Sequence, residues 1–278
     1  MRTIKIVADS SANLFSMERA AFSVAPLKII TDDKEFTDTA DLCLPDMIGY
    51  FEQYKGKSKT SCPNPSDWLD AFGDADDIIC VTITSGLSGS YNAACSAKQI
   101  YEAEHPDRRV FVLDTLSAGP EPLLALEKLE ELVAGGESFE TICQTIQEYT
   151  QNTGLLFMLE SLKNFAANGR VSPAVAKLTG ILGIRIVGKA SDEGTLEPSH
   201  KCRGRARSLQ TLVADLQKYG FVSGKVRIAH CENLETAQQL KEMIWDFAPN
   251  ADVSIHACAG LCSYYAEKGG LLIGFEKC

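Results

Sequence analysis

Three features of the 278-residue chain predict an α/β fold in two domains. Strand-like and helix-like runs alternate along most of its length, the first strands end in polar turns, and composition shifts near residue 152. Alternation of this kind points to helices packed on a largely parallel sheet. A division follows into an N-terminal domain at 1–155 and a C-terminal α/β domain at 156–278.

The strand-like runs are TIKIVAD, IICVTI, RVFVLD, VRIAH, DVSIHA and LLIGF. IICVTI is short, β-branched and apolar, which suits a strand buried on both faces. The helical runs are LPDMIGYFEQY, PSDWLDAF, an alanine-rich stretch from Ser90, PLLALEKLEELV, SFETICQTIQEYT, ARSLQTLVADLQKY and LETAQQLKEMIWDF. In PLLALEKLEELV, Leu123, Leu126 and Leu129 form one stripe that Leu132 and Val133 continue, the core face of a surface helix. The segment from Asn152 to Pro198 is apolar and glycine-rich and opens the second domain, and ASDEGT within it reads as a hairpin-type turn.

Composition narrows the function classes. A chain of 45% hydrophobic and 23% charged residues is that of an ordinary globular protein. The net charge of −10 argues against nucleic acid or an anionic membrane as the main partner. With no apolar run of 18 residues and no signal pattern in MRTIKIVADSS, the chain reads as cytoplasmic, without stable membrane insertion. Ten cysteines are scattered without a C-x-x-C pair, so most read as small buried hydrophobes. A zinc set drawn from His230, Cys231, His256, Cys258 and Cys262 lacks the usual paired spacing, and neither metal nor cofactor is expected.

The first three strands run into polar turns: Asp9-Ser10-Ser11, TSGLSGS at 84–90, and Asp114-Thr115 with Ser117 before Gly119. Ligands of open α/β sheets sit beyond the carboxyl ends of the strands. In TSGLSGS, Gly86 and Gly89 punctuate a strand-to-helix turn, whose free N–H groups and helix dipole attract an anion. Ser85 and Ser88 add hydroxyl donors, or Ser88 or Ser90 merely caps the helix. KTSCPNP brings Thr60 and Ser61 ahead of two prolines, either as further donors or as an ordinary turn. His256 ends a strand before a small-residue turn, as a donor or acid/base or as a structural residue. Arg170 in NGRVSP is a bidentate anion contact or a solvated cation. KCRGRAR, with Lys201, Arg203, Arg205 and Arg207, is the one dense basic run, suited to an acidic partner or to solvent. Ser88, His256 and Asp9 or Asp114 supply the types of a hydrolytic triad, but G-L-S-G misses the nucleophile-elbow spacing by one residue.

In order along the chain, VADSSANL, APLKI, KTSCPNP, ITSGLSGSYNAA, VLDTLSAG, NGRVS, EGTL with KCRGRAR, and His256 before ACAG resemble the DegV family of bacterial fatty-acid-binding proteins. The resemblance implies a three-layer, parallel-sheet N-terminal domain and a C-terminal domain that covers an acyl chain. It implies a carrier rather than an enzyme, with a long-chain fatty acid as bound ligand. The carboxylate set carried over is Thr60 or Ser61, Ser85 or Ser88 with Gly89, and His256. Arg170 and Arg203 are implied in presenting the acid to a fatty-acid kinase, whose acyl phosphate feeds phospholipid synthesis. The alternative is an acyl-transferring or esterase-like enzyme using Ser88 and His256. The chain departs from the family pattern in HACAG, where HTGPG is common, in IRIVGKA, which lacks a frequent proline, and at Pro120 and Pro122.

Overall fold

A computed structural model describes residues 2–176 and 183–277; the KLTGIL stretch of the glycine-rich segment, at 177–182, and Cys278 lie outside them. The first half of the chain runs β1 (Ile4–Asp9), β2 (Ala21–Ala25), β3 (Lys28–Thr31), β4 (Glu35–Thr37), α1 (Leu44–Gln53), β5 (Ser58–Ser61), α2 (Pro65–Phe72), β6 (Asp77–Thr82), α3 (Ser90–Glu104), β7 (Arg109–Asp114), α4 (Pro120–Ala134) and α5 (Phe139–Gln151). The second half runs β8 (Thr153–Leu159), α6 (Lys163–Ala167), α7 (Pro173–Ala176), β9 (Ile184–Ala190), β10 (Leu196–Arg203), α8 (Arg205–Lys218), β11 (Lys225–His230), α9 (Leu234–Phe247), β12 (Asp252–Ala257), α10 (Gly260–Ala266) and β13 (Leu271–Glu276).

The first sheet is parallel, in the order β2-β1-β6-β7. Every residue of β6 is buried, as a central strand between two helix layers requires. The period of two sorts its side chains: Ile78 and Cys80 join Val7 and Val110 against Trp68, Phe72 and Ala97. Ile79 and Val81 join Ile6, Ala8 and Leu113 against Leu126, Leu129, Ile142 and Ile146. Helices α2 and α3 therefore cover one face and α4 and α5 the other. A small antiparallel sheet, β4-β3-β5, hangs on this domain and carries Thr60 and Ser61.

The second sheet corrects the expectation of a largely parallel arrangement. Its order is β10-β9-β8-β13-β11-β12, and only β11 and β12 pair in parallel. The reason is local: β9 and β10 form a hairpin through ASDEGT, and β13 enters between β8 and β11 from the opposite direction. The expected boundary at 155/156 falls inside β8, and the change of sheet comes at Thr153, where that strand begins. Helix α4, started by Pro120 and Pro122 after Gly119 at φ +67, serves both domains. It packs on β1 and β6 and also on β11 and β13. Contact with β13 is so close that a Cβ on Gly274 would stand 2.5 Å from the Pro120 backbone.

Helix α10 also crosses between domains. The buried Asp38 carboxylate, just after β4, accepts the first N–H groups of α10 from Gly260 at 2.7 Å and Leu261 at 3.0 Å. Burial pushes its pKa up to about 6 against these donors. Among the described residues no helix is long and apolar enough to cross a membrane.

Candidate functional site

The three polar turns at the strand ends converge. Asp9 ends β1, fully buried, beneath the turn that follows β6. Its Oδ2 accepts the Ser90 hydroxyl at 2.6 Å and the Ile83 N–H at 2.8 Å, while Oδ1 accepts the Ser11 hydroxyl at 2.5 Å. Burial outweighs these donors and raises the carboxyl pKa. Asp114, at the end of β7, accepts the N–H groups of Ser85 and Leu116, both at 3.1 Å. Thr84 N–H donates to Ser117 O at 2.8 Å. The turn is thus fastened from below by one carboxylate and from the side by another.

What the fastening leaves free is the upper surface of the turn. Ser90 is committed to Asp9, so it is neither a ligand donor nor a simple cap. Ser88 Oγ accepts the Ser90 N–H at 3.3 Å, and its proton points elsewhere. Gly89 starts α3 with no side-chain cap, facing the Cys62 sulfur. Ser85, by contrast, is exposed and contributes only its N–H, to Asp114.

A cavity of about 280 Å³ opens at this turn, close to the lower end of the size range of small-molecule sites. Its walls are apolar: Leu27 and Ile83 from the first domain, Leu155, Phe157, Leu272 and Leu261 from the second, among others. Its polar lining includes Thr60, Ser61, Ser88, Gly89 and Arg170, with Thr84, Ser117, Lys189 and Thr195. Ser61, Gly89 and Arg170 are exposed and so stand at the rim. Arg170 is tied to the turn, its Nε donating to Leu87 O at 2.9 Å and its Nη1 to Asn168 O. Thr60 points the other way from Ser61, and its hydroxyl lies 2.7 Å from that of Tyr265, another lining residue.

The β9–β10 turn closes the cavity from the second domain. Gly194, at φ +72, fits so tightly that a Cβ there would lie 2.0 Å from Thr84 Oγ1, and one on Gly86 would lie 2.5 Å from Glu193 O. Two glycines on opposite elements therefore permit the approach of two backbones. The ASDEGT hairpin was legible in the sequence; its seat on the TSGLSGS turn was not.

Two of the expected site residues stand apart besides Ser85. His256 lies on β12, the edge strand of the second sheet, exposed, with Nε2 bonded to Ser254 Oγ at 2.7 Å. Among the described residues no histidine lines the cavity. Ser88 and His256 consequently do not form the nucleophile–base pair that the esterase-like alternative needs. Arg203 is exposed at the far end of β10 from the hairpin turn, about 23 Å along the strand from Leu196 at the usual rise per residue. Among the described residues no metal-binding group of His, Cys, Asp or Glu is assembled. The thiols nearest such a role are buried donors: Cys262 to Ser11 O at 3.3 Å and Cys231 to Ser263 O at 3.7 Å. Sequence reasoning missed Tyr265, Asn168, Gly194 and Asp38. NGRVSP, which contains Asn168, drew notice for Arg170, and ASDEGT, which contains Gly194, drew notice only as a hairpin.

The sequence model of the DegV family, described as an uncharacterised protein family, matches residues 3–277. A DegV domain-containing protein of Streptococcus pneumoniae is 43% identical over 278 residues, 99% of each chain. Among solved structures, a DegV family protein from Eubacterium eligens, loaded with heptadecanoic acid, superposes with a TM-score of 0.97 at 42% identity, over 99% of this chain and 100% of its own. The Streptococcus pneumoniae Fatty Acid Kinase (Fak) B3 protein, loaded with linoleic acid, gives 0.96 at 42% identity over 99% of each chain.

Proposed function

Because the chain belongs to the DegV family, we propose that it carries one long-chain fatty acid, its hydrocarbon in the cavity and its carboxylate at the polar rim. The observation that carries this reading is the polarity of that cavity. Apolar side chains from both domains make its walls, and hydroxyls of Thr60, Ser61 and Ser88 with the Gly89 N–H collect at its open end.

The energetics favour such a division. Withdrawing a sixteen-carbon chain from water is worth on the order of 10 kcal/mol, an upper bound before the costs of association. A carboxylate entering the rim loses hydration and needs several donors in return. Neutral hydroxyls and a helix N-terminus meet that need, with the Arg170 cation at the edge rather than beneath. The acid stays accessible to a second protein.

In this reading the chain is a carrier, and a separate fatty-acid kinase phosphorylates the exposed carboxylate in the cytoplasm, where ATP is at hand, for phospholipid synthesis. The pneumococcal neighbour named as a Fak B3 protein supports that assignment. Arg170 at the rim and the exposed Arg203, near Lys201 and Arg207, offer the partner cationic contacts. Organic extraction of the purified protein followed by mass spectrometry should yield fatty acid, and the emptied protein should take up palmitate or oleate. With a fatty-acid kinase and ATP, hydroxylamine should trap the acyl phosphate as a hydroxamate. An extract without lipid, together with no uptake, sinks the carrier reading.

A further inference from the structure

The rim contains a hydrogen-bonded arrangement that none of the expected site residues accounts for. Strand β5 alternates, so Ser58 and Thr60 face inward while Lys59 and Ser61 face out. The inward pair meets two adjacent tyrosines of α10: Ser58 Oγ lies 2.7 Å from Tyr264 OH, and Thr60 Oγ1 lies 2.7 Å from Tyr265 OH. Asn168 joins these pairs. Its Nδ2 donates to Tyr264 OH at 2.9 Å and to Asn164 O at 2.9 Å, and its Oδ1 accepts the Thr60 N–H at 3.2 Å. Its backbone carbonyl also accepts from Arg170.

Counting protons gives these contacts a direction. An ionised carboxylate only accepts, and each hydroxyl has one proton to give. A carboxylate at the rim takes the Thr60 proton, and the Thr60 oxygen is then the acceptor for Tyr265. We propose that Tyr265 is a positioning residue of the head-group site: its phenol donates to Thr60, turns the Thr60 proton toward the bound carboxylate, and strengthens that bond. Asn168 holds the strand of Thr60 and the loop of Arg170 in register around it. The inference rests on the fatty-acid reading above.

Tyr265 suits the role. It is half-buried, its ring packs on Phe165 with centroids 4.7 Å apart, and burial raises its phenol pKa, so it remains a neutral donor. A chain of hydrogen bonds ending on a charge is stronger than its separate links. It also supplies the extra donor that His256, out on the edge strand, does not.

Tyr265→Phe removes one oxygen and keeps the ring. Palmitate affinity, measured by calorimetry, should fall about fivefold, the scale of one neutral hydrogen bond. Affinity for hexadecanol, which has no carboxylate, should be unchanged. In carboxyl-13C palmitate, the bound carboxyl should titrate at a higher pH in the variant. Thr60→Val, which also removes the hydroxyl that meets the carboxylate, should shift both measurements in the same direction and at least as far, and the double variant should go no further than Thr60→Val, because Tyr265 acts only through Thr60. Thr60→Ser keeps the hydroxyl and should bind as the wild type does, and the Thr60→Val and Thr60→Ser pair tests the same contact should Tyr265→Phe fail to fold. The proposal is overturned if Tyr265→Phe binds palmitate as the wild type does, weakens acid and alcohol alike, or adds independently to Thr60→Val. A wild-type protein that takes up neither ligand overturns the fatty-acid reading itself, and this inference with it.

Discussion

Asp38 ties the helix that carries Tyr265 to the first domain, and its buried carboxyl makes that joint sensitive to pH. Its side chain is wholly enclosed, and its pKa is about 6 rather than 3.8 because desolvation exceeds the help of the Gly260 and Leu261 N–H groups. Below pH 3.8 the carboxyl is protonated whether the chain is folded or not. Between 3.8 and about 6 the folded protein keeps a proton that the unfolded chain releases, so stability falls as pH rises. Above about 6 both states are charged and the slope from this group ends. At 1.36 kcal/mol per pH unit, the total is about 3 kcal/mol. Asp38→Asn removes the titration while keeping one acceptor for α10. Urea unfolding of both proteins from pH 4 to 7.5 should show the wild type losing about 2.5 kcal/mol relative to Asp38→Asn across that window, since part of the total is already lost at pH 4. Other groups titrate too: burial also raises Asp9 and Glu121, whereas Arg2 and Arg109 hold Asp77 down. They contribute to both proteins, so the difference reports Asp38 together with its coupling to the Asp9 charge. Parallel stability profiles, or a wild type that gains on the variant with rising pH, would refute the argument.

Two further expectations concern the site. Ser88→Ala should weaken palmitate binding by about 1.5–3 kcal/mol, the range for hydrogen bonds to charged groups, while His256→Ala should leave the affinity measured by calorimetry unchanged; equal losses in both would return His256 to the site. Gly194→Ala places a methyl against Thr84 Oγ1 on a backbone at φ +72, so it should lower the thermal midpoint and weaken palmitate uptake together, and a variant indistinguishable from wild type in both measurements would show that the hairpin does not seal the cavity.

Whatever was written in local pattern could be read from the sequence. The apolar run Ile78–Val81 of β6, the Leu123–Leu126–Leu129 stripe of α4 and the hairpin at ASDEGT follow from periods and turn residues within a dozen positions. The polar turns were visible too, but Asp9 reaches Ser90 across 81 residues, and convergence of that kind is set by sheet order. The antiparallel character of the second sheet was hidden for the same reason. VRIAH, DVSIHA and LLIGF look alike as strings, and nothing in them says that LLIGF inserts beside β8. Asp38 is one acidic residue among 37, and only the fold brings the N-terminus of α10 to it.

The fates of His256 and Tyr265 show where reading a site from residue type breaks down. A histidine at a strand's carboxyl end is a good prior for chemistry, yet its value depends on which strand of the sheet it ends. β12 is the outermost strand of its sheet, and there His256 settles on Ser254 rather than lining the cleft between domains. Tyr265, nine residues on, sits on a helix that Asp38 draws into that cleft, and its hydroxyl meets a strand some 205 residues earlier. A rim of neutral donors with Arg170 at its edge has a chemical consequence as well. A fully buried counter-charge would hold a carboxylate tightly and shield it, because separating such a pair leaves an uncompensated charge behind. Hydroxyls and N–H groups hold it less firmly and leave its oxygens approachable, which is what handing an acid to a phosphorylating partner demands.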